Sequence, residues 1–235
     1  MHAMSRSRQP PFAADVIVCD LDGTLVDTAP EIAEAANRTL SELGLAPFPL
    51  PAIRKLIGSG SRELAGRLLR LRLRREVGED EIESAFGVYL GHYGRLLGQF
   101  SRPYPGVASV LERLKAEGRR LGCVTNKLAA HTEPLLRMLA LDRLFDIVLS
   151  GDSLARRKPD PLPLLYACQK LKTTPQRAVM VGDSASDVQA ARAAGMAVVC
   201  VSYGYRGDGD TSLADAAAVI ERLEALSTLL RPPGS

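Results

Sequence analysis

The spacing of apolar residues changes character along the chain. Val16 to Cys19 is a short unbroken apolar run, the pattern of a strand buried on both faces of a parallel sheet, and it stops abruptly at Asp20, Asp22, Gly23 and Thr24. Pro30 followed by Ile32, Ala35, Leu40 and Leu43 predicts a helix with proline in its first turn and Gly44 at its end. A proline-rich linker, Pro47 to Pro51, then changes direction. From Ala52 to about Leu97 only helical periodicity is present, with one stripe at Leu64, Leu68 and Leu71 and another at Ile82, Phe86, Tyr89, Leu90 and Tyr93. A block with no strand signal predicts a helical unit inserted between strands.

Gly98 to Gly106 carries prolines and glycines that return the chain to an alternating pattern. Helices are expected over Val107 to Glu117, Ala129 to Leu139, Pro161 to Leu171 and Ala185 to Ala194. Strands are expected over Leu121 to Thr125, Ile147 to Leu149, Ala178 to Val181 and Ala197 to Val201. A weaker strand, Ala217 to Ile220, and a final helix, Glu221 to Leu230, close the series. Strands alternating with helices imply right-handed crossovers. The fold class is therefore α/β, a Rossmann-like doubly wound parallel sheet with an inserted all-helical unit. In such sheets ligands bind at the carboxyl ends of the strands, near the switch point.

Composition narrows the function classes. With 46% hydrophobic and 24% charged residues in a chain of 235, the protein has the make-up of a soluble globular domain. A net charge of +3 is too small to imply nucleic acid as a partner. Arg62, Arg67, Arg70, Arg72, Arg74 and Arg75 lack interleaved aromatics and read as the solvated face of an amphipathic helix. No apolar stretch approaches the roughly 18 residues of a membrane span, and the start of the chain lacks a secretory core, so no membrane partner and a cytoplasmic location are expected. Cys19, Cys123, Cys168 and Cys200 lie singly in mostly apolar contexts and read as buried, reduced thiols. Residues 1–14 and 231–235 are expected to be disordered extensions.

The candidate chemistry sits where predicted strands end. Asp20 and Asp22 share a face of an extended segment, and two such anions repel each other unless a cation lies between them or one takes a proton. Gly23 permits a turn with free N–H groups, which attracts an anion, so a metal and a phosphate together suit the site. The next strand ends in Thr125 and Asn126. Later ends deliver Lys158-Pro159 and then Gly182-Asp183-Ser184-Ala185-Ser186-Asp187. The glycine-broken turn Ile57 to Arg62, with Gly58 and Arg62, stands in the helical block as a candidate reader of a carboxylate or hydroxyl, or as a plain helix-helix turn.

Asp20-Leu21-Asp22-Gly23-Thr24, Thr125-Asn126, Lys158-Pro159 and the segment from Gly182 to Asp187 together resemble the four motifs of the haloacid dehalogenase superfamily of phosphatases. The resemblance implies a core of residues 15–29 and 102–230 and a helical cap of residues 30–101. It implies Asp20 as a nucleophile forming an aspartyl-phosphate and Asp22 as the acid and base that serves the leaving oxygen and then water. Mg2+ would be held by the carboxylates of Asp20 and Asp183 and the backbone carbonyl of Asp22, with Asp187 behind them orienting Lys158. Thr125 and Lys158 would bind the transferring phosphoryl oxygens, and Gly23, Thr24 and Asn126 would join them in binding substrate.

The presence of Asp22 separates the chain from the superfamily's dehalogenases. The run Ser202-Tyr203-Gly204-Tyr205 resembles the phosphoglycolate phosphatase branch, which makes 2-phosphoglycolate the first small-molecule phosphate ester to consider. Arg206 stands where that branch commonly has asparagine. A sugar or amino sugar phosphate as substrate, and a phosphosugar mutase, stay open, as do a monomer and a homodimer.

Overall fold

The computed structural model describes residues 12–205 and 212–232, so Arg206 lies outside the described residues. The first strand, β1 (Val16–Cys19), is followed by a two-residue strand, β2 (Val26–Asp27), and by four helices: α1 (Ala29–Glu42), α2 (Leu50–Arg54), α3 (Ser61–Leu73) and α4 (Glu79–Leu96). A second two-residue strand, β3 (Arg102–Pro103), leads back to the alternating series α5 (Val107–Ala116), β4 (Arg120–Val124), α6 (Ala129–Met138), β5 (Ile147–Leu149), α7 (Leu162–Lys170), β6 (Ala178–Gly182), α8 (Ala185–Ala194), β7 (Ala197–Val201) and β8 (Ala218–Ile220).

The six-stranded sheet runs β5-β4-β1-β6-β7-β8, and every neighbouring pair is parallel. The alternation of side chains divides β1 between two cores. Ile17 and Cys19 pack with Val110 and Leu111 of α5 and Leu135 of α6, whereas Val16 and Val18 pack with Leu164 of α7 and Val188 of α8. Both faces are covered, which is why the strand sequence is apolar without a break. In register, Cys19 lies beside Cys123 and Val181. The residues that follow β1, β4 and β6 therefore emerge side by side at one edge.

Helices α1 to α4 bury Ile32, Leu40, Leu64, Leu68, Tyr89 and Tyr93 in a cluster of their own. A satellite cluster of Ala65, Leu69, Val77, Ile82 and Ala85 extends it. We assign this helical block the role of the cap. At its root, Oε2 of the buried Glu31 accepts hydrogen bonds from the N–H groups of Phe100 and Ser101 at 3.2 and 3.3 Å.

Several expectations change. The antiparallel β2–β3 ribbon, pairing Val26 with Pro103 and Asp27 with Arg102, is too short to show a period in sequence. The expected final helix is a 3-10 run over Leu223–Leu229. Leu71 faces solvent and is replaced in its stripe by Ala65 and Leu69. The expected extensions are partly held: the Phe12 N–H donates to Leu229, the Arg231 N–H donates to Phe12, and Ala14 is buried.

The arginine cluster of α3 is largely engaged by acids. Arg62 pairs with Glu79 and Glu83, Arg67 with Glu63, and Arg75 with Glu81. All four cysteines are free and buried. Among the described residues no helix is long and apolar enough to cross a membrane.

Candidate active site

Asp20 leaves β1 where β1 is flanked by β4 and β6, and its N–H donates to the carbonyl of Val181 at 2.9 Å. The carboxylate is buried. Its Oδ1 lies 2.8 Å from Nζ of Lys158, whose ammonium also donates to Oδ1 of Asp187 and to the carbonyl of Val124, each at 2.6 Å. Burial pushes the Asp20 carboxyl up to about 7 despite the Lys158 ammonium, and the Asp187 charge adds to the rise. Asp187 is fixed in turn: its Oδ2 accepts hydrogen bonds from the N–H groups of Asp183 and Ser184 and from the Ser184 hydroxyl. With both oxygens occupied, Asp187 aims Lys158 at Asp20. A Cβ on Gly182 would sit 2.5 Å from the Asp187 side chain, so this approach requires glycine there.

Asp183 follows β6 and is held from two sides. Its Oδ1 accepts the Thr24 hydroxyl at 3.0 Å, and its Oδ2 accepts the Tyr205 N–H at 2.5 Å. Gly23, at φ +86°, admits the same carboxylate, since a Cβ there would lie 2.4 Å from Oδ2. This corrects two substrate-binding expectations. Thr24 is fully buried and, like Gly23, shapes the seat of Asp183 instead of lining the cleft. Tyr203 and Tyr205 belong to the same framework. The Tyr203 hydroxyl donates to the Thr24 carbonyl at 2.9 Å, and the Tyr205 hydroxyl donates to Asp27 at 2.5 Å while accepting the N–H groups that open α1. Asp27 is thereby taken up by Tyr205.

Asp22 faces the cap side. Its Oδ1 accepts the Thr28 hydroxyl at 2.7 Å and lies 3.0 Å from Nζ of Lys127, which also reaches Oδ2 at 3.3 Å. Lys127 escaped the sequence reading, although it immediately follows Thr125 and Asn126 at a strand end, the signal that singled out its neighbours. Its Nζ donates to the Tyr93 hydroxyl of α4 at 2.6 Å. His131 packs its edge on Tyr93, and burial together with the Lys127 charge holds its imidazole below the ordinary range.

A cleft of about 420 Å³ of open space lies between these groups and the cap. It is lined by Asp20, Asp22, Thr125, Asn126 and Lys127 from the core and, from the helical block, by Ile32, Leu64, Tyr89 and the turn residues Ile57, Gly58, Gly60 and Ser61. Asn126 works as a tie across it, donating from Nδ2 to the carbonyls of Gly58 and Lys158 at 3.0 and 2.9 Å. Gly58 therefore lines the cleft. Arg62 does not: it points out of the cleft into its exposed pairs with Glu79 and Glu83. Two acids on successive turns of α4 capture it.

The model of the haloacid dehalogenase-like hydrolase family matches residues 17–201, the span that contains Asp20, Asp22, Lys127, Lys158, Asp183 and Asp187. The chain belongs to the haloacid dehalogenase-like hydrolases. Within that family it is similar to a phosphoglycolate phosphatase of Nitrosospira multiformis, with 46% identity covering 94% of this chain and 97% of the relative. It is also similar to a plasmid-borne phosphoglycolate phosphatase of Cupriavidus necator, at 43% identity over 92% and 93% of the two chains. A crystal structure of a predicted phosphoglycolate phosphatase from Haemophilus somnus superposes with a TM-score of 0.86 at 34% identity, covering 92% of this chain and 97% of that one.

The donor set of this hydrolase suits a hard divalent cation. Oxygen atoms of Asp20, Asp183 and Asp187 lie within 4.8 Å of one another, all buried, with the Lys158 ammonium among them. Burial first, then the Asp187 and Asp20 charges, hold Asp183 well above the usual carboxylate range. Such a cluster is short of positive charge, and carboxylate oxygens are what magnesium takes. Asp187 accepts four hydrogen bonds, one of them from the Lys158 ammonium, where Asp183 accepts two, so Asp20 and Asp183 are the donors with more room for an ion.

Proposed function

We propose that this hydrolase is a magnesium-dependent phosphomonoesterase acting on 2-phosphoglycolate through an aspartyl-phosphate on Asp20. The observation that carries the chemistry is the buried Asp20 carboxylate facing Lys158 at the mouth of the sheet, with Asp183 beside it and Asp22 on the leaving-group side. The kinship with phosphoglycolate phosphatases supports the choice of substrate.

An Asp20 oxygen attacks phosphorus in line, and the bond from phosphorus to the ester oxygen breaks. Asp22 gives its proton to the departing alkoxide, so the alcohol leaves neutral at that oxygen. Asp22 then takes a proton from water, the water oxygen attacks phosphorus, and the Asp20–phosphorus linkage breaks to return Asp20 and inorganic phosphate. Lys158 and the Thr125 hydroxyl offset charge on the phosphoryl oxygens. Asp187 keeps Lys158 aimed. Asp20, Asp183 and the Asp22 carbonyl would hold magnesium, which would supply positive charge that keeps both carboxylates ionised and offsets the charge of the substrate. The cap excludes water while the leaving group is read.

Phosphate release from a panel of esters tests the assignment. We expect the highest kcat/KM with 2-phosphoglycolate, dependence on magnesium, and loss of activity with chelator. A sugar or amino sugar phosphate preferred over 2-phosphoglycolate would overturn the substrate. Phosphoryl migration within a sugar phosphate, without released phosphate, would make the enzyme a mutase.

A further inference from the structure

Lys127 carries the single positive charge among the described residues that line the cleft. Its backbone is fixed at both ends of the residue, the N–H donating to Thr125 Oγ1 at 3.2 Å and the carbonyl accepting the Gly151 N–H at 2.8 Å. The side chain is 3% exposed. Burying an ammonium group costs several kcal/mol unless anions and acceptors surround it. Here the direct partners are one carboxylate, Asp22, and Tyr93, through its hydroxyl and its ring at 4.6 Å, with the buried Glu31 acting on that hydroxyl from behind.

The position matters as much as the charge. Asp22 is the group that serves the leaving oxygen, so an ammonium 3.0 Å from it stands beside the leaving group and not beside the transferring phosphoryl. The transferring side already has Lys158. Beyond Lys127 the helical block adds Ile32, Ile57, Leu64, Tyr89 and the turn from Gly58 to Ser61, none of which offers a leaving group a charged side chain. Tyr93, stacked on Tyr89 at 5.6 Å between ring centres and edge-on to His131 at 5.0 Å, gives the lysine a rigid support. Arg62, the cation that the sequence offered for this task, is engaged on the outer surface.

We propose that Lys127 selects substrates whose leaving group carries a carboxylate, exchanging its contact with Asp22 for that carboxylate as the substrate seats. The enzyme then takes phosphate monoesters of small hydroxy acids, and the exchange frees Asp22 to meet the ester oxygen. This rests on the phosphatase reading above and adds to it the group that reads the substrate.

The test compares 2-phosphoglycolate with the phosphate ester of glycolamide, which is close in size and lacks the charge. A charge-assisted hydrogen bond contributes enough that wild-type kcat/KM should favour the acid by about thirtyfold. In Lys127→Met the preference should shrink to within about threefold, and Lys127→Arg should restore part of it. Lys127→Met losing activity on both esters in equal proportion, with the preference intact, would overturn the inference, because a merely structural lysine acts that way. Should Lys127→Met fail to fold, the wild-type pair decides alone: equal kcat/KM for acid and amide overturns the selection. Wild-type enzyme that releases phosphate from neither ester, nor from p-nitrophenyl phosphate, overturns the phosphatase reading itself.

Discussion

Lys158 and Lys127 are both buried and both face a carboxylate that follows β1, yet their surroundings differ. Lys158 donates to Asp187 and to the Val124 carbonyl and lies 2.8 Å from Asp20, so two carboxylates face it, and their charges push its pKa further up against the effect of burial. Lys127 has one carboxylate and a phenol, and its ammonium borders the cleft. A cation held between two carboxylates is committed to a fixed place, and in the function proposed above its task is the phosphoryl group common to every substrate. A cation with a single charged partner, at the wall of a cavity, is free to exchange that partner. The comparison separates the chemistry of the site from its selectivity, and each can be perturbed alone.

The largest effect is expected at Lys158. Lys158→Met leaves Asp20 and Asp187 buried without their ammonium, which should lower turnover by about 10³-fold and unfolding free energy by about 3 kcal/mol. Chemical denaturation and steady-state kinetics check both. Lys127→Met should cost less stability, since a single carboxylate loses its partner; equal losses for the two lysines would erase the distinction drawn between them.

The next effect concerns the metal. Magnesium at about a hundred times its dissociation constant should stabilise the wild-type protein by about 2.7 kcal/mol, seen as a rise in Tm, and Asp183→Asn should abolish that rise. An undiminished rise in Asp183→Asn would remove Asp183 from the ion's shell.

Tyr205→Phe removes one hydroxyl that donates to Asp27 and accepts the N–H groups of Thr28 and Ala29, and should destabilise the fold by about 1–3 kcal/mol. The smallest effect lies on the cap surface. Hydrogen bonds from Arg75 and from the Gly78 N–H hold the Glu81 carboxyl down at about 2, below its ordinary value of 4.5. The stabilisation is present above pH 4.5 and is lost as the pH falls toward 2, so Glu81→Gln should flatten that part of the acid limb in a plot of stability against pH.

Much of the site was legible because a parallel sheet gathers the carboxyl ends of its strands. Asp20, Thr125, Lys158 and Asp183 could be grouped without coordinates once the strands were recognised. What escaped depends on side-chain direction and on partners remote in sequence. Arg62 is the second residue of α3, and its direction was decided by Glu79 and Glu83, which lie on the next helix. Lys127 gained its meaning from Tyr93, 34 positions away on the cap. Thr24 and Gly23 looked like ligand-binding turn residues, and only the position of Asp183 shows that they shape its seat.

In the proposed function, phosphoryl transfer passes through Asp20. Acid quenching of the wild-type enzyme during turnover of 2-phosphoglycolate, followed by peptide mass spectrometry, should find the phosphoryl group on the peptide containing Asp20, and Asp20→Asn should show neither that adduct nor turnover. Turnover in Asp20→Asn at the wild-type rate, or a phosphoryl group trapped on another residue, would contradict it.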